Sequence, residues 1–412
     1  MPDGICQVSK HNKVKSVMKL LIILPLAFAT AVAQRGFGGF SSFGRPGKIV
    51  DSFAGGLEDG KVGYSAADLT SDLNEGLGET ANILSSIPKI PNIDNLPLPG
   101  TITDFADFIA KTGKKYASEA EQHLREGIFK TNQLLADTHN ELFKAGKSAF
   151  EMGLNFLSDL KPEEFLAGLM GRKRNPKGEA MLKNRQSAPP LSAIVPDSFD
   201  WREKGAVTPV KFQGLTCNSC WSFAVTGSIE GHIFRKTNKL ISLSEQNLID
   251  CSAKNGNTGC GGGYHDYAYE YIIANQGISK TEPYPYLEKQ QEKCHYQEAD
   301  RGAEISAYYD IPHGNETYIK IVVATLGPVA ASVNADLDTF KLYKQGIYED
   351  DNCKSEKVTH EILIVGYGSE KGKDYWIIKN SWTDKWGDNG YMKILRNKNL
   401  CGIASEGSYP VV

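Results

Sequence analysis

Seven of the eight cysteines lie in the last half of the chain, at Cys217, Cys220, Cys251, Cys260, Cys294, Cys353 and Cys401, with Cys6 alone at the other end. Such crowding restricts the C-terminal region to a fold that closes disulfides in an oxidising compartment or one that holds a metal. The N-terminus argues for the oxidising compartment. Lys13, Lys15 and Lys19 lead into an apolar run from Leu20 to Ala31, and Ala31-Val32-Ala33 before Gln34 has the small-x-small form of a signal-peptide cleavage site. About a dozen apolar residues fall short of the ~20 that cross a bilayer, so residues 1–33 are expected to be a signal peptide and no stable membrane span is expected. Met18 would begin a compact signal by itself, and from either start Cys6 is absent from the mature product.

Behind the leader the composition changes in steps. Residues 34–100 are low-complexity, rich in Gly, Ser and Pro with single Phe residues, and are expected to be a disordered insert to which no function is assigned. Residues 101–170 regain helical periodicity at Thr103 to Lys111 and from Ser118 to Lys144, where Leu124, Ile128, Leu135 and Leu142 recur on overlapping faces, giving a small helical domain. Residues 171–194, with Arg172, Lys173, Arg174, Lys177, Lys183 and Arg185, read as an exposed linker open to proteases. Residues 195–412 form the last domain. Helices are expected there over Asn218 to Lys236, Tyr264 to Asn275 and Glu316 to Leu326, followed by strands at Val329 to Val333, Glu361 to Tyr367, Tyr375 to Lys379 and Gly390 to Leu395. Helices first and strands second predict an α+β class with a cleft between the halves. With 46 Lys+Arg against 49 Asp+Glu there is no bulk basic field for nucleic acid, and a mean hydropathy of -0.34 excludes a polytopic membrane protein.

The chemistry centres on Cys217-Asn218-Ser219-Cys220-Trp221, where a loop becomes a helix and the helix dipole favours a thiolate. A Cys-x-x-Cys redox pair, half a zinc site and two structural cysteines are equally open readings of the local motif, although neither a second Cys-x-x-Cys nor a His-x-x-x-His accompanies it. His360 in Thr359-His360-Glu361 and Asn380 in Lys379-Asn380-Ser381-Trp382 complete a thiol, imidazole and amide set of the kind used for nucleophilic catalysis.

With these residues the chain resembles the papain-like cysteine proteases, and most of all their cathepsin L branch, from about Asp104 to Val412. The resemblance rests on Asp200-Trp201-Arg202, Val207-Thr208-Pro209-Val210-Lys211, Cys220-Trp221-Ser222-Phe223, Gly366-Tyr367-Gly368, Asn380-Ser381-Trp382, Trp386-Gly387, Asn389-Gly390-Tyr391 and Cys401-Gly402-Ile403-Ala404-Ser405. It implies a two-subdomain protease, helical on the left and β-barrel-like on the right, preceded by an inhibitory helical prodomain. Cys220 is the implied nucleophile, His360 the base and acid, Asn380 its orienter, and Gln213 with the Cys220 amide the oxyanion hole; Trp382 would shield the His360–Asn380 hydrogen bond. The implied disulfides are Cys217–Cys260, Cys251–Cys294 and Cys353–Cys401, leaving Cys220 free. Glu121, Arg125, Phe129, Asn132, Ala136 and Asn140 keep the spacing of one propeptide signature, with Ala136 in an isoleucine place, and Gly153, Asn155, Leu157 and Asp159 that of a second. No metal or organic cofactor is implied. The implied partners are protein and peptide substrates, the chain's own propeptide and cystatin-like inhibitors, and the implied product is a monomeric extracellular or lysosomal enzyme released from a zymogen by acid.

Several positions depart from the family pattern. One extra residue stands between Gln213 and Cys220, which puts the oxyanion hole at risk of displacement and keeps open the alternative of a catalytically impaired homologue that only binds or inhibits. Asn218 replaces a glycine beside the nucleophile, Thr359 stands in the place of an aspartate, and Glu361 takes the place of a small residue, where its charge is expected to raise the His360 pKa. The pocket for the second residue before the scissile bond is expected to be walled by Tyr264, His265, Ser332, Val358 and Glu361, with Glu406 as its floor and Gly262 and Gly263 offering backbone to the peptide. A carboxylate floor predicts tolerance of Arg or Lys beside bulky apolar residues. Asn315-Glu316-Thr317 is a glycosylation sequon, or equally a helix cap.

Overall fold

The structure, a computed structural model, describes residues 78–412. The leader, Cys6, Met18 and the first part of the 34–100 insert lie outside the described residues.

Residues 78–86 are helical (α1), and the stretch after them is ordered too. This corrects the expectation of disorder for the described part of the insert. Ile87 and Leu96 are buried in the main core, and the Ser86 carbonyl accepts a hydrogen bond from Arg125. Two buried aliphatic side chains, at ~1.5–3 kcal/mol each, are enough to dock a short segment whose composition alone suggested none.

The helical domain has α2 (Phe105–Thr112), capped by Asp104, and α3 (Glu119–Lys144), capped by Ser118. The signature residues of α3 tie it to the helix before it and to the chain that follows. Phe129 packs with Phe105 and Phe108, Asn132 donates to the Ser158 carbonyl at 2.8 Å, and Asn140 both donates to Met152 O and accepts from Met152 N–H at 2.9 Å. Arg125 is fully buried between Glu121 and Glu164, and Lys114 between Asp159 and the Phe156 carbonyl. Each buried cation thus has carboxylate and carbonyl partners, as burial of charge demands. Then come β1 (Phe150–Met152) and α4 (Pro162–Leu169).

In the C-terminal domain the helices are α5 (Cys220–Thr237), α6 (Glu245–Cys251), α7 (His265–Ala274) and α8 (Glu316–Thr325). The strands are β3 (Phe199–Asp200), β4 (Ala307–Asp310), β5 (Val329–Val333), β6 (Tyr343–Tyr348), β7 (His360–Glu370), β8 (Lys373–Lys379), β9 (Tyr391–Leu395) and β10 (Gly407–Val411), while β2 (Arg185–Ser187) comes from the linker. Among the described residues they make one sheet in the order β1-β6-β9-β8-β7-β5-β10-β4-β2, with β3 on β7. Both outer strands, β1 and β2, come from chain that precedes the C-terminal domain. The helical domain and linker therefore cover the two edges of a sheet that would otherwise offer unpaired backbone.

The three disulfides join Cys217–Cys260, Cys251–Cys294 and Cys353–Cys401, the pairing implied by the resemblance. Cys217 is therefore bonded to Cys260 and not to Cys220, which removes the redox-pair and zinc readings of the Cys-x-x-Cys motif. The linker is not uniformly loose. Residues 171–175 are held against the C-terminal domain by backbone and side-chain hydrogen bonds, whereas Ile194 is fully exposed.

Candidate active site

Cys220 is the first residue of α5, and among the described residues it is the free cysteine. Its position at a helix N-terminus and the backbone N–H groups of Glu361, Gly171 and Trp221 favour the thiolate. Burial works against them and prevails, with the Glu361 carboxylate adding to it, so that the thiol is pushed up to about 12. His360 opens β7, where the period of the strand turns it inward, and Asn380 directly follows β8, antiparallel to β7. His360 Nε2 lies 2.8 Å from Asn380 Oδ1, which is itself oriented by the Ser381 N–H at 2.8 Å. The Trp382 ring lies 4.8 Å from that of His360, centre to centre.

The other ring nitrogen, Nδ1, lies 3.0 Å from the Leu169 carbonyl at the end of α4. Both partners are acceptors, so both favour the imidazolium, yet burial outweighs them and holds the His360 pKa down at about 4. The expected effect of Glu361 on His360 is absent: neighbours on a strand point to opposite faces, and the Glu361 carboxylate bears on Cys220 and His265 instead.

Gln213 is buried, its carbonyl oxygen Oε1 accepting from Ser381 Oγ at 2.7 Å and its amide Nε2 lying 3.4 Å from the Cys217 carbonyl. The extra residue in the following loop is absorbed away from it. Gly214 turns with φ +81°, the N–H groups of Leu215 and Thr216 both donate to Glu288 Oε1, and the Leu215 side chain is buried against the helical domain. Asn218 donates to the Ala167 carbonyl, so that this departure too meets the chain crossing the cleft.

That chain is residues 167–174. Gly171 and Gly168 pass so close to the 215–218 loop that a Cβ on either would clash with a backbone carbonyl oxygen, at 2.2 Å from Asn218 O and 2.1 Å from Leu215 O respectively. Gly263 donates to Gly171 O at 2.9 Å and accepts from Lys173 N–H at 2.7 Å. Gly262 differs from the expectation: its own N–H and C=O close the turn with Gly259 and Thr258, so it gives the chain room and no hydrogen bond. Phe165 packs edge-on against Trp382 at 5.6 Å.

At Glu406, the expected floor of the second-residue pocket, two linker arginines are seated. Arg172 grips Glu406 with both Nε, at 2.9 Å from Oε2, and Nη2 on Oε1, while Arg174 lies 3.4 Å away. Burial raises the Glu406 pKa, but the Arg172 hydrogen bond and charge more than offset that and leave it below the usual carboxylate range. Ser332 Oγ donates to Glu406 Oε2 at 3.1 Å. The guanidinium groups of Arg172 and Arg174 stand 5.4 and 4.8 Å from the Tyr264 ring centre. His265 and Glu361 meet behind this pocket at 2.6 Å, and Val358 packs on Gly402 at its side. Asn315 is exposed and caps α8 by accepting from Tyr318 N–H. Sequence reasoning did not find Arg172 as a ligand of Glu406 or Glu288 as the support of the extra residue. The basic run around Arg172 was the available signal, but it reads equally as a cleavable linker.

Residues 195–411 match the family model described as Papain family cysteine protease, and residues 105–165 that described as Cathepsin propeptide inhibitor domain. The chain is 45% identical over 306 residues to the cathepsin L-like peptidase of Aedes aegypti, covering 73% of this chain and 90% of that one. It is 44% identical over 307 residues to cathepsin L of Sarcophaga peregrina, covering 73% and 89%. Among solved structures, digestive procathepsin L 3 of the Tenebrio molitor larval midgut superposes with a TM-score of 0.69 at 38% identity, over 75% of this chain and 98% of that one.

Proposed function

Because the chain belongs to the papain family of cysteine proteases and carries a propeptide inhibitor domain, we propose that it hydrolyses peptide bonds through Cys220, His360 and Asn380. It is a cathepsin L-like cysteine endopeptidase made as a zymogen. The observation that carries the finer reading is the protein's own backbone, residues 169–173, lying across His360, Cys220 and Gly263 as a peptide ligand would, with the Arg172 side chain in the pocket floored by Glu406. Once this chain is cut away, burial no longer opposes charge on the dyad, and the Cys220 proton passes to His360. The thiolate attacks the substrate carbonyl, and the Gln213 amide and Cys220 N–H receive the oxyanion. The imidazolium protonates the leaving amine, and water hydrolyses the thioester.

Uncovering the dyad converts thiol and imidazole into thiolate and imidazolium with no net uptake of protons. The acid dependence of activation therefore resides in carboxylates that hold the propeptide, above all Glu164 and Glu406. Both have depressed pKa values, so the stability they contribute is present above about 4.3 and is lost as pH falls through the folded-state value.

The second-residue pocket, formed by Tyr264, Ser332, Val358 and Glu406 with His265 and Glu361 buried behind it, accepts Arg or Lys as well as bulky apolar side chains, because Arg172 already pairs there. The enzyme acts in the extracellular or lysosomal space, and Asn315 carries a glycan, readable as a mass shift on glycosidase treatment. The deciding experiment brings the purified precursor to about pH 4, below the ordinary glutamate value, with a thiol reductant and a thiol-directed epoxide, beside Cys220→Ala. Labelling of Cys220 with shortening to a chain starting near Val195 is expected. Processed, folded protein that resists the probe and cleaves no peptide would overturn the reading. A Glu406→Gln enzyme should lose about tenfold in its Arg-over-Leu ratio at the second position, measured as kcat/KM.

A further inference from the structure

Between the second-residue pocket and the nucleophile lies a buried charge cluster that the reaction described above does not use. His265, first residue of α7, and Glu361, second residue of β7, are both almost wholly excluded from solvent, and His265 Nδ1 lies 2.6 Å from Glu361 Oε2. On its other side the ring faces Asp266, with Nε2 3.4 Å from Oδ1. Glu361 Oε1, His265 Nε2 and both Asp266 carboxylate oxygens are buried without a hydrogen-bond partner. Glu406 adds its charge from the segment before β10. The cations that balance Glu406 and Asp266 are Arg172, Arg174 and Arg185. All three precede Val195 and leave with the propeptide, so of these groups His265 is the one cation retained among three carboxylates.

Glu361 acts on the nucleophile in two opposite ways. Its backbone N–H favours the Cys220 thiolate, while its carboxylate charge, after burial, is the largest influence against it. The net effect depends on whether that carboxylate is compensated. We propose that His265 is a positioning residue for the peptidase reaction: its imidazolium holds and neutralises the Glu361 carboxylate, so that this charge neither opposes the Cys220 thiolate nor turns into the second-residue pocket. The proposal rests on the cysteine-protease reading and deepens it by giving the Glu361 departure from the family pattern a partner. Burial by itself would lower the His265 pKa, but Glu361 from β7, Asp266 from its own helix and Glu406 together raise it to about 9. In the precursor the imidazolium is therefore favoured in the acid and neutral range, and because burial pushes the Asp266 carboxyl up to about 8, Glu361 is the partner that holds it. Cys220 on α5, Tyr264 tilted against the His265 ring at 4.1 Å, Tyr269, Tyr308, Asp310 and the linker arginines are the other charged or titratable neighbours.

The test compares the mature wild-type enzyme with His265→Gln, Glu361→Gln and the double variant, Gln keeping size and hydrogen-bonding capacity without charge. Two quantities are read: the pH profile of Cys220 alkylation by iodoacetamide, which is uncharged, and kcat/KM on a peptide with Leu in the second position. His265→Gln should raise the alkylation pKa by about one unit, a tenfold loss of thiolate below it. Removing the Glu361 charge as well should restore alkylation to within about threefold of wild type, a coupling that loss of packing would not produce. An unchanged profile in His265→Gln, or a double variant as impaired as the single, overturns the proposal. If His265→Gln does not mature, the His265 ring titration in Glu361→Gln decides, since its pKa must fall below that of wild type and an unchanged one overturns the proposal. Processed wild-type enzyme whose Cys220 resists alkylation would instead sink the protease reading, which separates the two failures.

Discussion

His360 and His265 are both buried histidines in the same cleft, and they carry opposite charge states. His360 faces an amide oxygen and a backbone carbonyl and is held down to about 4, whereas His265 faces two carboxylates and is raised to about 9. Burial penalises the imidazolium in both. Dipoles of neutral groups do not repay that penalty and full charges do, which is why His360 is neutral under the propeptide domain's chain while His265 stays charged. The difference teaches that partner charge decides the state of a buried imidazole, and the segment from Leu169 to Gly171 contributes to burying His360 and Cys220 with neutral groups alone.

The comparison also divides the contacts that hold the propeptide. In the helical domain Arg125 and Glu164 are paired without solvent, and removing one partner of such a pair costs about 3–5 kcal/mol. Glu164→Gln should therefore give the largest effect, a precursor that unfolds at markedly lower temperature and processes itself at neutral pH; an unchanged melting temperature and unchanged latency would move the lock elsewhere. Asn380→Asp gives His360 the kind of partner His265 has. Its pKa in the precursor should rise by about 1–3 units, followed by the ring resonances in an NMR titration. A ring that still titrates near its wild-type value would break the explanation by partner charge. Ile87→Val, in the segment before the propeptide domain, should cost only about 0.5–1.5 kcal/mol of precursor stability in denaturant unfolding. The separately prepared mature enzyme should be unaffected.

Much of the site was legible along the chain because its chemistry is local. Cys220 needs a helix start, and His360 and Asn380 need the ends of adjacent strands; all three are written in short motifs with matching periodicity. The helices α5, α7 and α8 and the strands β5 and β8 follow from apolar spacing and capping; β5 has the expected bounds, and the others differ from expectation by at most two residues. Among the elements that escaped, beside α6 and the short strands β1, β2 and β3, were β4, β6 and β10, whose sequences hold Tyr, Gly and Pro and whose pairing is decided by distant partners. The ordering of residues 78–100 escaped for a related reason, since Ile87 and Leu96 become a core only when Leu215 and the helical domain supply the other side.

By itself the sequence determined the α+β class, the helical domain ahead of the protease domain, and the short motifs that carry Cys220, His360, Asn380 and Glu406. Only the tertiary structure decided which charges meet. Arg172 is 234 residues from Glu406, His265 is 96 from Glu361, and the Leu169 carbonyl is 191 from His360. A charge's effect depends on separation in space and on the water between, and neither is encoded in separation along the chain.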